Sequence, residues 1–294
     1  MTVSEPSRRR APPDEPRTET VSLGPDRHLA YAEYGSPDGD PVVFLHGTPG
    51  SRRLGALFES TARDCGVRLL APDRPGCGRS SPRPDRSVGD AAEFLVPVLD
   101  DADVETAELI AFSGGAPCGL AATATRPDRI DAVDVVAGAT PPGFGDRPPA
   151  VTRLLTGTAT TAPTVLRGLF RWQAWLAERL DPSFVVGQYT TDDAEAIDDA
   201  TAEIVAADFL EAFARHRTGA VTEFRHAATD WGVDFEAVDA PVSLWHGERD
   251  ENVPIDGARR LESALPNARL RALDDADHLR TLLHSVPEIL RDRE

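Results

Sequence analysis

The chain has 294 residues and carries 49 acidic and 31 basic side chains, which gives a formal net charge of −18. Its length favours one large domain, or a core with an inserted segment, over a string of modules, and its 40% apolar content argues against disorder throughout. Because so acidic a surface repels phosphate groups, the composition argues against nucleic acid or an anionic membrane as a partner.

The basic residues and the cysteines indicate the salt and redox conditions in which the protein works. All basic side chains are arginine. The absence of lysine and the excess of aspartate are typical of adaptation to concentrated intracellular salt, and a high-GC genome would also replace lysine by arginine. Three cysteines without a CxxC pair favour free thiols in a reducing compartment and give no support for a metal site. With no secretion signal and no run of ~18 apolar residues, we expect a cytoplasmic protein.

The first elements of the chain predict a sheet with an antiparallel start. Residues 1–18 are rich in Pro, Arg and Glu and are expected to form a disordered tail. Two strands are then predicted around a Gly-Pro-Asp turn, at residues 20–23 and 28–34. A continuously apolar run, typical of a parallel strand buried on both faces, follows at residues 41–45, and runs of the same type follow at residues 67–71, 107–112, 130–137 and 242–245. Helical stretches alternate with them at residues 53–64, 88–99 and 114–125. The predicted class is α/β, with a mostly parallel central sheet flanked by helices.

The alternation stops between residues 141 and 239, where we predict a helical lid inserted into a core formed by residues 19–140 and 240–294. Two apolar sets in this interval recur at helical spacing. They are Val165, Leu169, Trp172, Leu176 and Leu180, and then Ile197, Ile204, Val205, Phe209 and Phe213. A further stripe in this interval is mostly aromatic and consists of Phe170, Trp172, Trp175 and Leu176. It could contact the substrate or pack the lid onto the core, and the sequence leaves both roles open.

The most informative segment is a strand that leads directly into a helix through Ser113. A turn this sharp would hold Ser113 in a strained conformation above the sheet edge, so its neighbours must be small, as Ala111 and Gly115 are. The following helix would direct its N–H groups and positive dipole end at an anion formed near Ser113. The pattern predicts a nucleophile, and the alternative is an N-cap serine after a buried strand.

The loop at residues 46–51 follows an apolar strand and offers a partner for that turn. It can place the backbone N–H of Thr48 opposite the N–H of Gly114 across a small gap. Two such donors in a site shielded from water would form an oxyanion hole, which stabilises a tetrahedral oxyanion. The alternative is an ordinary Gly-Pro turn.

An acid and a histidine complete the predicted catalytic residues. Asp250 follows a predicted strand and precedes a Val-Pro turn, so we prefer it over Glu248 as the acid that orients a histidine. Of the seven histidines, His278 alone follows a late strand with acids close by, and we predict it as the general base. Asp275 and Asp277 beside it lead to the hypothesis that its proton affinity is raised, so that activity would require a higher pH than usual.

These motifs resemble the α/β-hydrolase fold superfamily, and more narrowly its proline-iminopeptidase-like and lid-bearing esterase-like members. The resemblance covers about residues 20–290. It is carried by Leu-His-Gly-Thr-Pro-Gly-Ser at 45–51, Asp-Arg-Pro-Gly-Cys-Gly-Arg-Ser at 73–80, Ser-Gly-Gly-Ala-Pro at 113–117, and Leu-Trp-His-Gly at 244–247 with Asp250 and Val-Pro at 253–254. It implies that Ser113 is the nucleophile, that His278 is the general base and later the acid, and that Asp250 fixes the imidazole tautomer. It also implies an oxyanion site between the N–H groups of Thr48 and Gly114.

The sequence departs from the family pattern at three positions. Ala111 stands where the elbow usually has glycine, Cys118 where an aromatic residue is common, and Asp277 where a small residue is usual. The first two would reshape the acyl pocket, and the third would alter the base. Haloalkane dehalogenases and epoxide hydrolases share the loop but attack with an aspartate where this chain has Ser113, so the resemblance excludes both.

Together, the residues and the resemblance favour a serine hydrolase that cleaves a small or medium carboxylic ester through an acyl-enzyme. It would use no metal or organic cofactor, and its partner would be a small molecule. The alternative is a proline-iminopeptidase-like aminopeptidase, which would hold a substrate amino group with lid acids. A solvated charged face also explains the acids present there: Asp192, Asp193, Glu195, Asp198, Asp199 and Glu203. A non-catalytic binding protein is disfavoured by the three filled triad positions, and the oligomeric state is left open.

Overall fold

The computed structural model describes residues 17–145, 148–191 and 194–293, without the side chain of Glu195. Its strands are β1 Thr18–Ser22, β2 His28–Gly35, β3 Asp40–Leu45, β4 Val67–Pro72, β5 Ala107–Phe112, β6 Ile130–Val136, β7 Val242–Gly247 and β8 Ala268–Leu273. Within the described residues they form one sheet in the order β1-β2-β4-β3-β5-β6-β7-β8. Pairing is antiparallel between β1 and β2 and between β2 and β4, and parallel elsewhere. The predicted α/β class with a mostly parallel sheet is confirmed.

Two groups of helices accompany the sheet. Those that flank it are α1 Glu59–Asp64, α2 Ala92–Asp101, α3 Ala116–Thr125, α9 Asp256–Ala264 and α10 His278–Arg291. Those between β6 and β7, here called the inserted helices, are α4 Ala150–Thr161, α5 Pro163–Ala177, α6 Ser183–Val186, α7 Asp199–Ala214 and α8 Thr218–His226. The predicted helix at 53–64 is in fact a 3₁₀ segment, Arg52–Phe58, followed by α1. None of the described helices combines the length and the apolar character that a membrane span needs.

The predicted tail lies almost entirely outside the described residues, which begin at residue 17. Its last residue, Thr18, already belongs to β1 and pairs with Ala32 of β2. The first strand therefore begins two residues earlier than its sequence pattern predicts, because backbone pairing with β2 does not depend on apolar side chains.

The continuously apolar strands are explained by two hydrophobic clusters, one on each face of the sheet. Successive residues of β3 alternate between them: Val42 and Phe44 belong to one cluster, and Val43 and Leu45 to the other. A strand buried on both faces has no polar side to expose, so its sequence does not alternate. The cluster that contains Phe44 also includes apolar side chains of the inserted helices.

Helix α5 carries two apolar stripes, and the structure buries one of them. On the predicted face, four of the five residues are exposed: Val165, Leu169, Trp172 and Leu180. The buried stripe consists of Leu166, Phe170, Ala174 and Ala177. Phe170 decides the orientation, because its ring stacks on Phe213 at 5.1 Å and on Phe224 at 5.8 Å.

Candidate active site

Ser113 begins the turn between β5 and α3. Its φ of 49° lies in the left-handed region, which costs a residue with a side chain about 1 to 3 kcal/mol. A Cβ at Gly114 would collide with the Thr48 side chain, and a Cβ at Gly115 would lie 2.7 Å from the carbonyl oxygen of Leu45. Glycine is therefore required at both positions for Ser113 to approach the loop after β3.

Three of the predicted residues form one hydrogen-bonded chain. Ser113 Oγ lies 3.0 Å from His278 Nε2, and His278 Nδ1 lies 2.7 Å from Asp250 Oδ2. In the neutral tautomer that fits both contacts, Nδ1–H donates to Asp250, and Nε2 accepts from the Ser113 hydroxyl. All three side chains are buried. The fallback acid Glu248 is exposed and pairs with Arg259 at 2.7 Å, so the structure brings Asp250, and not Glu248, to the histidine.

The carboxylate of Asp250 is held in its charged form. Its Oδ1 accepts backbone hydrogen bonds from Asn252 and Val253, each at 2.9 Å. Burial pushes the pKa of Asp250 upward, but the charge and hydrogen bond of His278 and the nearby His246 outweigh it, so the pKa lies below its ordinary value. A carboxylate that stays ionised can stabilise an imidazolium as it forms.

The two acids beside His278 are engaged elsewhere. Asp277 is buried and caps α10, since its Oδ1 accepts from the Arg280 N–H at 2.9 Å. Its Oδ2 accepts from the hydroxyl of Thr190 and from the Thr191 N–H. Asp275 is exposed and pairs with an arginine at 2.7 Å. Within the described residues neither carboxylate hydrogen-bonds the imidazole, so the hypothesis of a raised proton affinity has no direct contact behind it.

The two predicted oxyanion donors lie next to each other. The position that a Cβ of Gly114 would occupy is 3.2 Å from the backbone nitrogen of Thr48. Within the described part of the chain, neither N–H donates to a protein acceptor. Both N–H groups are therefore available to a ligand oxygen, as the predicted oxyanion hole requires.

A buried ion cluster that no sequence pattern predicts contacts Thr48 in the loop at residues 46–51. Glu223 of α8 accepts from Arg74 Nε at 2.6 Å, from Arg86 Nη2 at 2.8 Å and from Thr48 Oγ1 at 2.5 Å. Burial raises the pKa of Glu223, but the two arginines lower it far more, so the carboxylate is ionised. The neighbouring His46 stays neutral, because burial, followed by the charge of Arg74, lowers its pKa to about 3.

Two acids of α7 bind the next residues of the same loop. Asp208 Oδ1 accepts from the Ser51 N–H at 2.7 Å and from the Ser51 hydroxyl at 2.8 Å. Glu211 pairs with the buried Arg52 at 2.7 Å. Together with Glu223, these contacts join the inserted helices to the loop that carries the Thr48 N–H.

A small, partly open cavity borders Ser113. The loop after β3 and β5 contribute part of its lining, and the interval between β6 and β7 contributes Tyr189, Val205 and Asp208. The aromatic stripe singled out from the sequence does not line it: Phe170 is buried among the inserted helices, and Trp172 and Trp175 are exposed. In the described part of the chain, no three His, Cys, Asp or Glu side chains come together in a way suited to a metal ion.

Asp208 gives a prediction for the pH dependence of stability. Burial raises its pKa from 3.8 to about 7, so between these values the folded protein keeps a proton that the unfolded chain releases. Wild-type stability is therefore lost as the pH rises through this window. Asp208→Asn cannot bind this proton. We therefore expect the unfolding free energy of Asp208→Asn minus that of wild type to rise from pH 4 to 7, by at most about 1.4 kcal/mol per pH unit.

Denaturant unfolding of both proteins at half-unit pH steps from 4.5 to 8 measures this difference. All other titrating groups are common to the two proteins and cancel in the comparison. A difference that stays constant across the range would show that Asp208 titrates as it does in water.

Comparisons with known proteins agree with this architecture. A model of the alpha/beta hydrolase fold family matches residues 40–284. A 2-hydroxy-6-oxononadienedioate/2-hydroxy-6-oxononatrienedioate hydrolase of Cupriavidus pinatubonensis is 25% identical over 274 residues, covering 88% of this chain and 87% of that protein. An uncharacterized hydrolase of Bacillus subtilis is 30% identical over 125 residues, which are 42% of each protein. A bromoperoxidase structure from Bacillus anthracis has a TM-score of 0.72 at 18% identity, covering 95% of this chain and 100% of that chain, and shows likeness of fold alone.

Proposed function

This chain belongs to the α/β-hydrolase fold family of hydrolytic enzymes, and on that premise we propose that it is a serine hydrolase that cleaves a small or medium carboxylic ester. The observation that carries the proposal is the continuous hydrogen-bonded chain from Ser113 through His278 to Asp250, with distances of 3.0 and 2.7 Å. A hydroxyl, an imidazole and a carboxylate in this order are the parts that acyl transfer requires.

The reaction would proceed in two steps. Ser113 Oγ attacks the ester carbonyl carbon while His278 Nε2 takes the hydroxyl proton, and Asp250 stabilises the imidazolium that forms. The N–H groups of Thr48 and Gly114 bind the oxyanion of the tetrahedral intermediate. Collapse expels the alcohol, which receives the proton from His278 and leaves an acyl-enzyme on Ser113. His278 then takes a proton from a water molecule, whose oxygen attacks the acyl carbon, and returns that proton to Ser113 Oγ as the bond to the acyl group breaks and the acid leaves. No step of this route requires a metal or an organic cofactor.

The inserted helices would act as the lid of this site. Tyr189, Val205 and Asp208 from the interval between β6 and β7 border the same cavity as Ser113. A wall built by this interval excludes water from the oxyanion donors, which strengthens their interaction with a developing charge. Substrate access would then depend on how the inserted helices sit on the loop after β3.

The aminopeptidase alternative receives less support from the acids that suggested it. Asp192 and Asp193 lie outside the described residues, as does the side chain of Glu195. The others are described, and none of them lines the cavity: Asp198, Asp199 and Glu203. Asp198 instead caps α7 through the Thr201 N–H. For the three described acids of this set, a role in binding a substrate amino group therefore has no geometric basis.

The proposal is tested by turnover and by active-site labelling. Wild-type protein should hydrolyse p-nitrophenyl esters in a series from acetate to octanoate, measured in low salt and in molar KCl because the chain is so acidic. A fluorophosphonate should label one site per chain, which peptide mass spectrometry should assign to Ser113. Heat-denatured protein is the control for non-specific labelling. Absence of both turnover and label in either salt would overturn the proposal and favour a binding protein.

A further inference from the structure

Two polar side chains that the proposed mechanism does not use lie in the cavity beside Ser113. They are Asp208 and Tyr189, and both come from the interval between β6 and β7. Most of the remaining wall is apolar, formed by Pro49, Leu54, Phe112, Val205, Leu279 and Leu282. In an apolar pocket, a small number of polar groups fixes the orientation of a ligand.

Asp208 is a buried carboxyl group without a cationic partner. Its side chain is 4% exposed, and within the described residues no basic side chain makes an ion pair with it. Both hydrogen bonds from Ser51 use Oδ1, and Oδ2 takes part in neither. Asp73, which follows β4, is also an acid, and its negative charge raises the pKa of Asp208 further. Such a group gains from any ligand that can exchange a hydrogen bond with it.

Tyr189 brings a phenol side chain to the cavity that Ser113 lines, next to His278. Its ring lies parallel to the imidazole of His278, with the ring centroids 6.4 Å apart, and its carbonyl oxygen accepts from the Leu279 N–H at 2.9 Å. Within the described part of the chain, the hydroxyl makes no hydrogen bond. Burial raises the pKa of Tyr189, and the charge of Asp208 raises it further. The phenol therefore stays neutral and can donate a hydrogen bond.

We propose that Asp208 and Tyr189 form a polar subsite that binds a hydroxyl group on the acyl chain of the substrate. The inference rests on the proposed function and names its substrate class, hydroxy esters. A hydroxyl group both donates and accepts, so it can pair with the phenol and with either protonation state of Asp208. An anionic substituent would be repelled by the nearby Asp73 and by the ionised form of Asp208. An ammonium group is a donor only, so it offers no acceptor to the Tyr189 hydroxyl or to protonated Asp208. Because the acyl group stays on Ser113 through the intermediate, the cavity beside Ser113 is the place for such a contact.

The test is a pair of esters that differ only in the hydroxyl group. For wild type, we expect kcat/KM for p-nitrophenyl 3-hydroxybutyrate to exceed that for p-nitrophenyl butyrate by roughly 10- to 100-fold. Tyr189→Phe removes one partner without changing the shape of the ring and should reduce this ratio about tenfold. Asp208→Leu should bring the ratio close to one. Because each ratio is taken within one variant, a general loss of activity does not affect it.

Tyr31→Phe is the matched control. It removes a phenol hydroxyl that donates to Asp101 at 2.9 Å, on β2 and outside the cavity lining, so the ratio should stay at the wild-type value. A wild-type ratio near one, or a ratio unchanged in Tyr189→Phe and Asp208→Leu, would overturn the subsite. Faster turnover of the 3-aminobutyrate ester than of the 3-hydroxybutyrate ester would also overturn it.

Direct binding separates failure of the subsite from failure of the proposed function. Ser113→Ala should bind methyl 3-hydroxybutyrate more tightly than methyl butyrate in calorimetry, and Tyr189→Phe in the same background should remove the difference. Turnover of both esters without preference would leave the serine hydrolase standing and remove the subsite. Absence of turnover together with selective binding would remove the hydrolase and leave the subsite.

Discussion

Ser113→Ala is expected to lower kcat/KM for every ester that the wild type hydrolyses by about 10³-fold or more. The hydroxyl is the group that lies 3.0 Å from His278 Nε2, and no acyl-enzyme can form without it. The cavity and the oxyanion donors remain, so substrate binding should change little and a residual rate over water should persist. The loss should therefore appear in kcat, measured with p-nitrophenyl esters under saturating conditions.

Ser285→Ala provides a control with the same chemical change. Ser285 is fully buried in α10, the helix that begins at His278, and its hydroxyl has no hydrogen-bond partner in the described part of the chain. Removing it should leave kcat at the wild-type value. If Ser113→Ala retained more than a tenth of the activity, the nucleophile would have to be another group.

The fold could be predicted because its sequence signals are local. A strand buried on both faces is apolar on consecutive residues, as residues 41–45 of β3 and 109–112 of β5 are. The turn at Ser113 also depends on residues next to it, because the clash that forbids a side chain at Gly114 or Gly115 follows from the path of the chain. Asp250 and His278 are predicted from their order after Ser113 along the chain.

The parts that escaped prediction depend on contacts between distant residues. Glu223 meets Arg74 across 149 positions, and in a chain with 49 acids nothing in the local sequence distinguishes Glu223 or Asp208 from a solvated carboxylate. The buried face of helix α5 could not be identified for a related reason. Its two apolar stripes have the same period, and only the aromatic rings of α7 and α8 determine that Phe170 faces inward.

Glu223→Gln is expected to lower the free energy of unfolding by about 3 to 5 kcal/mol, because it leaves Arg74 and Arg86 buried without a compensating charge. The amide keeps the size of the side chain, but its NH₂ group must face an arginine donor in either orientation, because Arg74 donates to both carboxylate oxygens. Denaturant unfolding at pH 7 measures the loss. Glu211→Gln is the comparison, since Glu211 is 14% exposed and water can compensate for part of its lost charge, so the loss should be smaller.

The same substitution should reduce kcat in the fraction of the protein that remains folded. Glu223 binds the Thr48 hydroxyl, and the Thr48 N–H is one of the two proposed oxyanion donors, so a shifted loop misplaces a donor. Losing one such donor typically costs about 10²- to 10³-fold in rate, which sets the upper limit. Thr48→Val separates the two effects, because it removes the contact with Glu223 while the ion cluster stays charged. If Thr48→Val lowers kcat with little change in KM or stability, the cluster positions the oxyanion loop. If Thr48→Val has the wild-type kcat while Glu223→Gln unfolds as expected, the cluster holds the inserted helices on the core and has no part in catalysis.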